Sequence, residues 1–122
     1  EENQVVLEEI SQNLKEENKI EYENITESKI VKGDTILGLL KNVKWSIKEA
    51  MEAANIFSTL YDPKRINVGM TIIFPKNRNI KSFAIAINKN TAVVIKMENK
   101  NFKVDKQSLE KAREIISSSK DD

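Results

Sequence analysis

Two helical patterns separated by only a few residues set the tightest limit on what this chain can fold into. The first follows Gly33-Asp34-Thr35: Ile36, Leu37, Leu39, Leu40 and Val43 make a short helix with a broad apolar face that stops at Lys41-Asn42. Asp34 is the expected N-cap, since its carboxylate can accept from the amides one turn on. Gly38 in the middle costs about 1 kcal/mol relative to alanine, which implies close approach of another backbone there. The second starts at Ser46-Ile47-Lys48-Glu49, a capping box in which serine caps the Glu49 amide and Glu49 reaches back. Trp45, just before the cap, is placed to staple onto Ala50. Ile47, Ala50, Met51, Ala54 and Phe57 share a face, giving a helix over 47–58. A joint this short forces the two helices to pack as neighbours.

Strands flank this pair. Extended chain precedes it, with a strand expected near 28–32. Asp62-Pro63 opens a turn after it. Val68-Gly69 then leads into Met70-Thr71-Ile72-Ile73-Phe74, ended by Pro75. The two can pair antiparallel beside the helices. Beyond Pro75 the character changes. Ile80, Phe83, Ile85 and Ile87 lie largely on one side, Asn88-Lys89-Asn90 is a turn, and 91–97 is a strand. Residues 98–101 turn again and Phe102-Lys103-Val104 is a third strand: an antiparallel meander. In 105–122, Asp105 reads as a cap, and Leu109, Ala112, Ile115 and Ile116 follow at helical spacing. At the other end, 1–18 place Val6, Leu7, Ile10 and Leu14 at helical spacing.

Composition excludes much chemistry. There is no histidine and no cysteine in the 122 residues, so Ser-His-Asp, Cys-His and disulfide chemistry are impossible. A zinc site would have only carboxylates to draw on, which is unusual. The glycines Gly33, Gly38 and Gly69 are too scattered for a phosphate-cradling loop. The chain itself is therefore not expected to be an enzyme, and no cofactor is expected on it. Charge is uneven: 1–28 carry nine acids against Lys15 and Lys19, a net −7, whereas 29–104 carry a net +9. An acidic arm beside a basic body points to self-association of the two or to a polyanionic partner. Nucleic acid is not expected, because the body lacks aromatics interleaved with its bases. No apolar run is long enough to span a membrane.

The residues 31–75, "VKGDTILGLLKNVKWSIKEAMEAANIFSTLYDPKRINVGMTIIFP", resemble a LysM-type domain. The matching features are Val31-Lys32-Gly33-Asp34-Thr35 before the first helix and Ile66-Asn67-Val68-Gly69-Met70 running into Ile73-Phe74-Pro75. With the meander, residues 31–104 are similar to the non-catalytic N-terminal region of lysostaphin-type murein endopeptidases of Gram-negative bacteria. Those regions carry a divergent LysM-like unit of the opacity-associated protein A type. The resemblance implies an α+β fold: a LysM-like βααβ core over 29–75, an appended β-meander over 76–104, and terminal helices. The terminal segments are the acidic arm 1–28 and the helix or linker 105–122. It implies association with peptidoglycan glycan strands or with the protein's own catalytic domain, in the periplasm or cell envelope. Zinc is expected only in a downstream domain. In such a groove sugar lies between two loops, here Gly33-Asp34-Thr35-Ile36 and Leu60-Tyr61-Asp62-Pro63 with Lys64, Arg65 and Ile66. The candidate glycan-binding residues are Gly33, Asp34, Thr35, Ile36, Leu60, Tyr61, Asp62, Arg65 and Ile66. The same residues have local structural uses, Asp34 as a cap, Tyr61 as a lid on the core and Asp62-Pro63 as a turn. The alternative function is an intramolecular docking, autoinhibitory or general protein-interaction domain that binds no glycan.

Overall fold

The structure, a computed structural model, describes residues 24–120; the helical reading of 1–18 lies outside them. Strand β1 (Ile25–Lys29) is followed by helices α1 (Ile36–Asn42) and α2 (Ile47–Ser58), then a 3-10 turn (Pro63–Arg65). Strands β2 (Thr71–Pro75), β3 (Ser82–Ala86), β4 (Thr91–Glu98) and β5 (Asn101–Ser108) follow, and helix α3 (Leu109–Ser117) is the last element among the described residues. The five strands make one sheet in the order β1-β2-β3-β4-β5, every neighbouring pair antiparallel. The fold is α+β. The βααβ unit and the meander are continuous, because Ile72 pairs with Ile85 and Ile73 with Ala84 across β2 and β3.

Alternation along the strands builds a core on each side of the sheet. Ile72, Phe74, Phe83, Ile85, Val93 and Ile95 face α1 and α2, where Ile36, Leu40, Trp45, Ala50, Ala53 and Phe57 meet them. Ile73, Ala84, Ala92 and Val94 face the other way, onto Ala112 and Ile116 of α3. Three layers result: helix pair, sheet, single helix. Strands β2 to β4 read as near-continuous apolar runs because both of their faces are covered. Arg113 of α3 forks onto Glu27 of β1, with Nε 2.7 Å and an Nη 3.2 Å from the two carboxylate oxygens, and pins the helix to the edge strand.

The joint between the helices is built as the caps predict and one step further. Ser46 Oγ accepts from the Glu49 N–H at 3.1 Å, and Glu49 accepts from the Ser46 N–H at 3.0 Å. At the end of α1 the Lys44 N–H donates to the Lys41 carbonyl and the Trp45 N–H to the Leu40 carbonyl, each at 3.1 Å. That is a Schellman closure, with Lys44 in the left-handed region at φ 75°. Trp45 therefore ends one helix and, buried with Ala50 in the same cluster, anchors the next. A side chain at Lys44 is strained there. Lys44→Gly is expected to raise the denaturation midpoint, adding about 1 kcal/mol.

Glu49 links the joint to the sheet, its carboxylate standing 4.0 Å from Lys81 Nζ. Partial burial pushes the carboxyl up, but the Ser46 N–H, the Ser46 hydroxyl and Lys81 outweigh it and hold it below the usual glutamate range. A carboxylate with a lowered folded value stabilises the fold fully above its unfolded value, and that contribution is lost as pH falls through the folded one. Glu49→Gln keeps a capping side chain but cannot titrate. The parent's advantage over it is expected to shrink below about pH 4.3, so that the variant shows the flatter acid limb in urea unfolding midpoints. Ser46→Ala is expected to cost about 1 kcal/mol at neutral pH.

Several sequence expectations are corrected. The first strand is Ile25–Lys29, not 28–32, although the Ile30 N–H still donates to Met70 O and Gly69 N–H to Ile30 O. Thr35 rather than Asp34 caps α1, accepting from the Gly38 N–H at 3.0 Å. Gly38 makes room for no second backbone; a Cβ there would meet only Thr35 Oγ1, at 3.1 Å. On α2 the buried stripe is Ala50, Ala53 and Phe57, while Ile47 and Met51 are exposed. Asp105 caps nothing. It pairs with Val94 inside β5, and Ser108 caps α3 by accepting from the Lys111 N–H.

Candidate functional site

The two loops meant to share a groove do meet. Antiparallel pairing of β1 with β2 runs from Ile25 opposite Pro75 to Lys29 opposite Thr71. The Ile30 bonds to Gly69 and Met70 extend it to the mouths of both loops. The first loop turns tightly: Gly33 takes φ 92°, the Asp34 N–H donates to Val31 O, and Asp34 Oδ2 accepts from the Val31 N–H at 2.9 Å. Only glycine adopts such a φ without strain. In the second, Asp62 Oδ1 accepts from the Lys64 N–H at 2.9 Å and starts the 3-10 turn, which Pro63 opens.

Between them lies a hollow of about 330 Å³. Asp34, Thr35 and Ile36 line it from the first loop, and Pro63, Lys64 and Ile66 from the second; Leu37 and Leu39 of α1 and Ala54 of α2 complete it. Its size and make-up, mostly apolar with a few polar groups, suit a single small ring rather than an extended ligand. The polar side chains among its lining residues are Asp34, with one oxygen not used by the turn, Thr35, whose hydroxyl oxygen accepts from the Gly38 N–H, and Lys64. Together they can hydrogen-bond hydroxyl and acetamide groups while the aliphatic side chains cover a non-polar ring face.

Of the candidate residues, Asp34, Thr35, Ile36 and Ile66 line the hollow; Gly33, Leu60, Tyr61, Asp62 and Arg65 do not. Gly33 shapes the turn and Asp62 holds its own loop. Tyr61 packs edge-on to Phe57 at 6.0 Å, and its hydroxyl donates to Arg65 O at 3.4 Å, so it seals the core end of α2. Leu37, Leu39 and Ala54 were not anticipated as lining. The signal for the leucines was present: a seven-residue helix apolar at 36, 37, 39 and 40 cannot turn all four toward one sheet.

A second hollow, about 410 Å³, opens at the end of α3 beside Lys81, Ser82, Lys96, Ser119 and Lys120. Its polar groups are largely committed to one another. Ser82 Oγ donates to Ser119 Oγ, whose own proton goes to Ile115 O; Lys81 stands by Glu49 and Lys96 by Glu98. Among the described residues no three metal-ligating side chains come together, and no helix is long and apolar enough to cross a membrane. Comparison with protein-family models, with curated proteins and with solved structures finds no match for this chain.

Proposed function

We propose that this chain is a non-catalytic, peptidoglycan-binding module: a LysM-like targeting or regulatory region of a murein endopeptidase-like protein of the periplasm or cell envelope. The observation that carries the reading is the convergence of the Gly33–Ile36 and Pro63–Ile66 loops on one mostly apolar hollow, held there by β1–β2 pairing. An N-acetylated sugar has the matching chemistry, with a flat aliphatic ring face for Ile36, Leu37 and Ile66 and an amide and hydroxyls for Asp34, Thr35 and Lys64. Catalysis, and the zinc that goes with it, belong in this reading to another domain.

Co-sedimentation with purified peptidoglycan tests it. The parent chain is expected in the pellet. Leu37→Asp, which puts a charge into the hollow from an already half-exposed position, is expected to weaken retention by about tenfold, equivalent to about 1.4 kcal/mol. Its thermal midpoint should stay near that of the parent. A parent chain that pellets no better than a control protein defeats the reading.

A further inference from the structure

The hollow at the end of α3 gathers lysines from distant parts of the sequence. Lys81 stands just before β3, Lys96 lies opposite Ser82 across the β3–β4 pairing, and Lys120 follows α3. The cavity they line is about 410 Å³, and Glu49 is the only acid among its lining residues. A hollow of about 310 Å³ adjoins it, sharing Ile80 and Ser119, and brings Lys76 and no acid. The basic excess of the body thus has a concave focus, where low-dielectric walls strengthen the field.

The serine hydroxyls there are spent on one another and on α3, but the ammonium groups are not. The Lys81 side chain is 18% exposed, and Glu49 Oε1 stands 4.0 Å away, too far for a hydrogen bond. That oxygen already accepts the Ser46 N–H. The Lys81 ammonium donates to Arg78 O at 3.3 Å, which leaves donors over. Lys96 is 3.7 Å from Glu98, with both side chains about half exposed, so that pair contributes little. A half-hidden ammonium with incomplete partners gains from an anion in the same cavity. The negative end of α3 does not forbid one. Glu114 O, Ile115 O, Ile116 O and Ser117 O each already have a donor, from Ser118, Ser119 or Asn24.

The type of donor selects the anion. No arginine lines either hollow, so no planar fork matches the plane of a carboxylate. Ammonium point charges suit a compact, highly charged phosphate. Ile80, Met97 and Ile115 give the same cavity an apolar wall. We propose that the α3 hollow binds a phosphate ester, its phosphoryl oxygens held by Lys81, Lys96 and Lys120 and its organic part lying on Ile80 and Ile115. A free ester and a lipid headgroup share that chemistry. The proposal stands whatever the loop hollow binds.

Titration of isotopically enriched full chain with glycerol 3-phosphate at fixed ionic strength tests it. Expected are saturable amide shifts at Lys81, Ser82, Lys96 and Ser119, with Thr35–Leu37 silent. Acetate is expected to bind at least about tenfold more weakly. Lys96→Gln together with Lys120→Gln changes two exposed positions; the variant should keep the parent's thermal midpoint and bind about tenfold more weakly. Sedimentation with phosphatidylglycerol vesicles distinguishes the sources. Pelleting of the parent chain, lost in the double variant, assigns a lipid headgroup; a parent chain that shifts with the soluble ester but stays out of the pellet assigns a free one. Shifts that never saturate, acetate binding as tight as that of the ester, or a folded double variant that binds like the parent overturns the proposal.

Discussion

Replacing Trp45 by alanine is expected to cost about 3–5 kcal/mol, a large share of the 5–15 kcal/mol typical of a whole domain. The indole is 5% exposed. It stacks on Phe102 of β5 at 5.5 Å and 12°, and meets Phe83 of β3 edge-on at 5.8 Å and 71°. Lys81 Nζ stands 5.8 Å from the ring. Aromatic pairs in these geometries add to the area they bury. The backbone closure of α1 survives the substitution, because it uses only the Trp45 N–H. What is lost is the packing that holds the helix joint to the far half of the sheet. Urea unfolding should show a lower midpoint with an unchanged slope. Amide exchange should quicken first in β5, the edge strand that loses its partner at Phe102. A loss under about 1 kcal/mol would contradict this packing, as it would match a mere surface substitution rather than a core one.

Phe83→Ala is expected to be as severe, about 3–5 kcal/mol. Phe83 is fully buried, and its ring lies at the centre of the larger core. Trp45 is 5.8 Å away, Phe74 of β2 6.1 Å and Phe57 of α2 6.3 Å. No neighbour can close the void without breaking its own ring contacts. Phe83→Leu should recover most of the loss. The Trp45 and Phe83 substitutions share a contact, so their combined effect in unfolding experiments should fall short of the sum. Strict additivity would show that the two rings do not touch in solution.

Where the sequence was readable, a local rule and the tertiary packing agreed. The Ser46–Glu49 box gave the start of α2 and the run to Ser58 gave its end. The apolar runs of β2, β3 and β4 were visible because both sheet faces are covered there. Legibility failed at the edges. β1 buries only Ile25, and β5 buries only Phe102. Neither carries a sustained period-two signal of a half-buried strand, so the pattern alone puts β1 three residues late and ends β5 at Val104. Asp105 and Ser108 are both capable caps. Pairing of β5 with β4 as far as Thr91–Ser108 decides for Ser108. On α2, hydrophobicity favoured Ile47 and Met51, but the sheet is approached by Ala50 and Ala53, whose small side chains let the helix come close. The site was half legible for the same reason. Turn chemistry located both loops, but the wall between them comes from Leu37, Leu39 and Ala54, whose direction depends on how the helices roll against the sheet.

The central claim is that the two loops form one receptor for an N-acetylated sugar. Its most direct test is a titration of isotopically enriched full chain with a soluble N-acetylglucosamine oligomer, following every backbone amide. The account predicts saturable shifts confined to two stretches forty residues or fewer apart in sequence, around Thr35–Leu37 and Lys64–Ile66, with the α3 hollow silent. Absence of shifts at saturating sugar, or shifts centred on Lys81, Lys96 and Ser119, would contradict it.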